Sequence, residues 1–194
     1  MRTETQPLSV FEIALLAFTM FTVLSIVWST LISGISPMPS SKKARQAMLQ
    51  LLCETGNRAG VEAGPIFELG SGWGNLLIPL AKKYPQRKII GYELSIMPWL
   101  TTVIVKHLFG LKNVQVYRKN FLHSDLTGAS IILCYLFPKG MQKIESKISA
   151  QGGQLDYLIS NNFSLPAHEP IKTIQLNDLY QSPIYLYQFT KQNE

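Results

Sequence analysis

In the stretch "FELGSGWGN", Phe67 to Asn75, one acid and three glycines alternate: Glu68, Gly70, Gly72 and Gly74. The run "GPIFEL" before the glycines reads as a short buried strand. The run "NLLIPLAKKY" after them has apolar residues at helical spacing and a basic end. The glycines therefore occupy a strand-to-helix turn, where positive φ is free of a Cβ penalty and backbone N–H groups can approach a ligand. A dinucleotide fingerprint would need its third glycine at Asn75. The Glu-x-Gly-x-Gly-x-Gly spacing is a different device, and it suits a ligand without a pyrophosphate.

Further candidates fall at the ends of predicted strands. "KIIGYEL" closes on Glu93, whose carboxylate can accept both hydroxyls of a ribose. "KNFLHSD" offers Asn120 to the edge and Phe121 to the face of an adenine. "ILCYLFP" puts Tyr135 and Phe137 where a reacting group must arrive, and "ISNN" leaves Asn161 and Asn162 at the same rim. Ser71 and Asn75 complete the glycine turn. Taken singly, each has a plainer reading: a surface acid, a core tyrosine, a turn asparagine. Asp125 reads as solvated. Together the two acids and the glycines describe a site for S-adenosyl-L-methionine, which brings a sulfonium, an amino-acid moiety and a ribose. Glu68 would help hold the amino end. No metal is expected: Cys53 and Cys134 form no C-x-x-C pair, and His107, His123 and His168 are far apart in sequence.

These residues need a scaffold that gathers strand ends. Strands are predicted at 65–69, 88–93, 113–118, 129–135 and 155–160, with helices at 74–84, 95–109 and 138–149 between them. That alternation is the pattern of a doubly wound parallel sheet, which binds ligands beyond the carboxyl ends of its strands. "IKTIQL" and "PIYLYQF" break the rhythm. Only "NDLYQS" separates them, too short for a helical crossover, so they form an antiparallel hairpin. The sequence thus predicts an α/β, Rossmann-like seven-stranded sheet ending in an antiparallel hairpin.

Ahead of it, Ile13 to Ser33 carries no charge. As a helix it would span about 30 Å, the thickness of a bilayer core. Its polar residues define no face, which disfavours a buried core helix. Its length, the single Arg2 before it and the lack of an A-x-A site disfavour a cleaved signal peptide. Lys42, Lys43 and Arg45 follow the span, whereas Arg2, Glu4 and Glu12 precede it. The positive-inside rule then predicts a single-pass protein with its catalytic domain in the cytoplasm, in a bacterial inner membrane rather than an organelle. Residues 1–36 form the membrane segment. Residues 37–59 hold a turn-rich link and an amphipathic helix, "SKKARQAMLQLLCETG", and residues 60–194 form the ligand-binding domain. Of the 194 residues 46% are hydrophobic and 15% charged, which fits such an anchor. The net charge of +6 reads as solvated helix faces attracted to anionic lipid. No basic-aromatic module points to nucleic acid.

On these motifs the chain resembles the seven-stranded class I methyltransferases. "FELGSGWGN" is similar to their first motif, "GYELS" to their acidic second, and the hairpin to their last two strands. "SPMPSSKKARQAMLQLL", "ILCYLFPKGMQKIESKI" and "LISNNFSLP" resemble segments of the small protein lysine methyltransferases, archaeal and membrane-anchored. Asn120 stands where those have Asp, and the proline segment lacks their aromatic residue.

The resemblance implies methylation of a lysine on a membrane-associated protein. The competing readings are a methyltransferase for a lipid head group or small amine, and a non-catalytic module docked at the membrane. Nothing in the sequence fixes an oligomeric state.

Overall fold

The computed structural model describes residues 8–33, 40–56, 64–152 and 155–189. Its first helix, α1 (Val10–Ser33), begins three residues before the uncharged stretch. Ser9 and Glu12 explain the early start. The Ser9 N–H and hydroxyl donate to the Glu12 carboxylate at 2.7 and 2.9 Å, and the Glu12 N–H donates back to the Ser9 hydroxyl. This reciprocal cap satisfies donors that a helix start leaves open. Residues Val10–Trp28 are long and apolar enough to cross a membrane, and none of that stretch is buried in the protein.

Helix α2 (Lys42–Gly56) turns Ala44, Met48, Leu51 and Leu52 inward at helical spacing. The segments that follow are β1 (Ile66–Leu69), α3 (Leu77–Lys83), β2 (Ile89–Glu93), α4 (Ile96–Leu108) and β3 (Val114–Arg118). After a 3-10 turn at Phe121–His123 come β4 (Ile131–Cys134), α5 (Pro138–Gln151), β5 (Tyr157–Asn161), β6 (Lys172–Gln175) and β7 (Pro183–Gln188). The strands form one sheet in the order β3-β2-β1-β4-β5-β7-β6. The first five are parallel. β7 runs antiparallel between β5 and β6, as expected of a hairpin pair.

β1, β2, β4 and β5 are buried at every position, which is why they read as largely apolar runs, with the acids and polar residues near their carboxyl ends. Alternation along them feeds two cores. Ile66, Ile89, Leu133 and Ile159 pack with α2 and α3, while Phe67, Ile90, Ile132 and Leu158 pack with Met141 and Ile144 of α5. Each fully buried aliphatic side chain contributes roughly 1.5–3 kcal/mol. α3 starts at Leu77 rather than at residue 74, because Gly72 to Leu76 continue the turn.

Candidate functional site

The strand order reverses between β1 and β4, and the main cavity lies over that point. β1 brings Glu68 to its floor, and the turn behind it adds Gly70, Ser71, Gly72 and Asn75. Gly70 and Gly72 have φ of +78° and +53°. A Cβ built on either would meet nothing within 4 Å, so the chain shows bare backbone to open space. Gly74 does not line the cavity. Its φ is +76°, and a Cβ there would lie 2.9 Å from the Thr102 side chain, so it serves the packing of α4 behind the turn.

Glu93 ends β2 and is 7% exposed. Its Oε2 accepts the Gly72 N–H at 2.8 Å and its Oε1 accepts the Ser95 N–H at 2.7 Å. Each oxygen keeps a second lone pair. Glu68 is 6% exposed, and its Oε2 has no hydrogen-bond partner in the protein; nor has the Ser71 hydroxyl. Burial pushes the Glu68 carboxyl well above the usual carboxylate range, and the nearby Glu93 adds to the rise. An unpaired buried polar group costs about 1–3 kcal/mol. Here the residue that carries the orphan oxygen lines a cavity, which fits a cationic or donor-rich ligand group.

Asn120 and Phe121 also line the cavity. The Asn120 carbonyl oxygen accepts the Leu122 N–H at 3.0 Å and caps the 3-10 turn, leaving its amide NH2 for a ligand. Tyr135 follows β4 and lines the same cavity with Phe137. Its ring stacks on Phe163 with centroids 6.3 Å apart and planes 16° from parallel. Cys134 is no nucleophile, because burial pushes its thiol up to about 12.

Asn161 is not part of the lining. It is buried, and its amide donates to the Ser40 hydroxyl at 3.3 Å; Ser40 in turn lines the cavity. Asn162 leaves the strand with φ +70°, which is turn chemistry. Nine of the eleven predicted site residues therefore share one cavity, Gly74 lies behind it, and Asn161 reaches it only through its hydrogen bond to Ser40. Three contributors escaped the sequence reading: Ser40, the Ser95 N–H and Phe163. The proline segment before α2 was the signal for Ser40. Nothing local marks the other two. Among the described residues no group of His, Cys, Asp and Glu could hold a metal.

Residues 68–172 match the family model of the ANTKMT methyltransferase domain. The mouse adenine nucleotide translocase lysine N-methyltransferase is 27% identical over 114 residues, 57% of this chain and 48% of its own length. The match thus spans about half of that relative. A protein-lysine N-methyltransferase of Saccharolobus islandicus is 21% identical over 126 residues, 63% of this chain and 77% of the relative. Among solved structures, an RNA methyltransferase from Salinibacter ruber in complex with S-adenosyl-L-homocysteine superposes with a TM-score of 0.66 at 21% identity, covering 81% of this chain and 97% of its own. The putative methyltransferase yhhF of Escherichia coli gives 0.63 at 15% identity, covering 80% and 89%. Both show the seven-stranded fold. The family match covers more than half of the 194 residues and includes the glycine turn, Glu93 and Tyr135: the chain belongs to the ANTKMT methyltransferase domain family.

Proposed function

We propose that the chain is an S-adenosylmethionine-dependent protein-lysine methyltransferase, held at a membrane by α1. The observation that carries the cofactor is the cavity floor. Gly70 and Gly72 leave room for close approach, Glu93 has spare lone pairs for a ribose, and the orphan Glu68 oxygen awaits a donor. When bound, the cofactor supplies a methyl group on an electrophilic sulfur.

The protein's own part is alignment and exclusion of water. Tyr135, its ring backed by Phe163, lines the cavity and would guide the aliphatic stem of a lysine, while its hydroxyl orients the amine. Lys119 and Lys143 also line the cavity. Positive charge there favours the neutral, nucleophilic amine over the ammonium. Asn161 holds the Ser40 hydroxyl at the cavity wall, where Ser40 would meet the acceptor.

Lysine as acceptor is supported by the two curated relatives, and the membrane by the unburied apolar helix with Lys42, Lys43 and Arg45 after it. Purified full-length protein, labelled cofactor and membrane extracts test both parts. Label should enter protein and appear as methyllysine after acid hydrolysis. Label confined to the lipid fraction would instead support a head-group methyltransferase.

A further inference from the structure

Helix α4 carries an apolar stripe that the fold does not cover. Ile96, Leu100, Ile104 and Leu108 recur every fourth residue on one helix face, and their exposure climbs from 38% and 39% to 50% and 79% along the helix. Phe109 continues the stripe at 56% exposure, with the Lys82 ammonium 3.5 Å from its ring centroid. The stripe stays exposed although α1 already packs against α4.

The charge around it is one-sided. From Gly70 to Ser124 the sequence has eight lysines and arginines and a single acid, the buried Glu93. α3 and α4 contain no acidic residue, and Lys82, Lys106 and Lys112 lie beside the stripe in sequence or space. Large apolar side chains flanked by lysines whose stems can extend sideways are the composition of a helix lying in a membrane interface. A nucleic-acid surface would instead offer polar side chains to bases where Ile96, Leu100, Ile104 and Leu108 stand.

The contact with α1 sets a depth. Thr22, Ser25 and Ile26 are the partly buried side chains described on α1. From Ile26 to Ser33 the helix rises about 10 Å. An interfacial helix sinks its apolar face about 5–10 Å into the headgroup and acyl boundary. If α1 crosses the bilayer and ends near its surface, α4 sits at that boundary.

We infer that the exposed face of α4, with Phe109, docks into the surface of an anionic lipid bilayer. The inference rests on the anchored reading of α1 and adds an orientation to it. α4 starts at the strand carboxyl ends beside Glu93 and leads away from them. With α4 flat in the interface, the cavity opens sideways at the height of the head groups. A side chain of an integral membrane protein just outside the hydrocarbon could enter it without lifting the domain.

The test uses the full chain with Cys53→Ser, reconstituted in vesicles of phosphatidylcholine alone or with phosphatidylserine. Single cysteines replace Phe18, Leu108 or Leu179 and carry a fluorophore; quenching by spin-labelled lipids reports contact with the bilayer. Leu179, at 89% exposure in the β6–β7 turn, is the control away from the stripe. Positions 18 and 108 should be quenched and 179 should not, and position 108 more strongly with phosphatidylserine. Lys106→Gln with Lys112→Gln should lower the docked-to-free ratio at 108 about thirtyfold. Quenching at 18 without quenching at 108 would keep the anchor and overturn the docking. Quenching at 108 alone would keep the docking and overturn the anchor, and quenching at neither would overturn both. Energy transfer between copies labelled at 108, without lipid quenching, would give the stripe to a second copy and overturn the inference.

Discussion

The carboxylate of Glu93 accepts the backbone N–H of Gly72 at 2.8 Å, tying the end of β2 to the middle of the glycine turn. Two motifs 21 residues apart thus form one unit: the acid that should hold the ribose also sets the turn. Glu93→Ala removes both functions. Hydrogen bonds to a charged group are worth about 1.5–3 kcal/mol, so cofactor affinity should fall roughly 10- to 150-fold. Calorimetric titration measures this, and an unchanged affinity would remove Glu93 from the site.

Glu68 predicts a pH effect. Its folded carboxyl titrates well above the ordinary range because of burial, and then because of Glu93. The folded, ligand-free state thus holds a proton that the unfolded chain has already lost. This favours folding at low pH, and the benefit disappears as pH rises through the raised value. A cationic ligand beside Glu68 favours the carboxylate, so cofactor binding should release a proton in that window. Glu68→Gln should flatten the fall of melting temperature with pH and abolish the release. Melting curves across pH, and titrations in buffers of different ionisation enthalpy, read both. Identical behaviour of the variant would contradict the assignment.

The sheet was legible because its inner strands are mostly apolar, with polar residues near their carboxyl ends, and are bounded by turn residues, and the hairpin because "NDLYQS" is too short for a crossover. Helix ends were less so. Ser9 and Glu12 moved the start of α1 forward through a cap that hydropathy alone does not register, and the turn after Gly72 delayed α3 to Leu77. In the candidate site, most of the residues at strand ends that were singled out by type and place line one cavity. Those that act through backbone or tertiary contact were not singled out: the Ser95 N–H and Phe163 leave no local pattern. Asn161 ends β5 on the expected rim without lining the cavity, and its partner Ser40 lies 121 residues away.

Tyr135 should matter for turnover rather than for cofactor binding. Tyr135→Phe keeps the stack on Phe163 and loses only the hydroxyl; Tyr135→Ala loses both. Turnover should fall at least about tenfold in Tyr135→Ala, equivalent to about 1.4 kcal/mol, with the cofactor dissociation constant nearly unchanged. An intermediate rate for Tyr135→Phe would separate the ring from the hydroxyl. Normal turnover in Tyr135→Ala would exclude the residue from the acceptor site.

Asn161→Ala should free the segment ahead of α2 by deleting its bond to Ser40. The KM for the protein acceptor should rise while cofactor affinity holds. Asn161→Asp should rescue part of the loss, since the Ser40 hydroxyl can donate to a carboxylate. Steady-state kinetics on the three proteins decide; a loss confined to cofactor affinity would oppose this role.

The glycines separate stability from binding. Gly74→Ala meets both a positive φ and Thr102, so it should destabilise the fold by about 2–4 kcal/mol. Gly72→Ala meets the backbone strain alone, costing about 1–2 kcal/mol. Gly72→Arg should fold comparably and lose the cofactor, because the added bulk fills the cavity. Chemical denaturation and cofactor titration of the three variants give the ranking.

The position of β7 sets a schedule for synthesis. Residues 183–188 are the last described strand to leave the ribosome, yet they pair on both sides, with β5 and with β6. Until they emerge, β5 must wait with one edge open, although all five of its residues are buried in the finished sheet. Such an edge is a template for pairing with another chain. The sheet is therefore most exposed to aggregation in the interval before residues 183–188 emerge. A nascent chain already tethered through α1 would pass that interval fixed in a bilayer, at a distance from its copies that free diffusion would not guarantee.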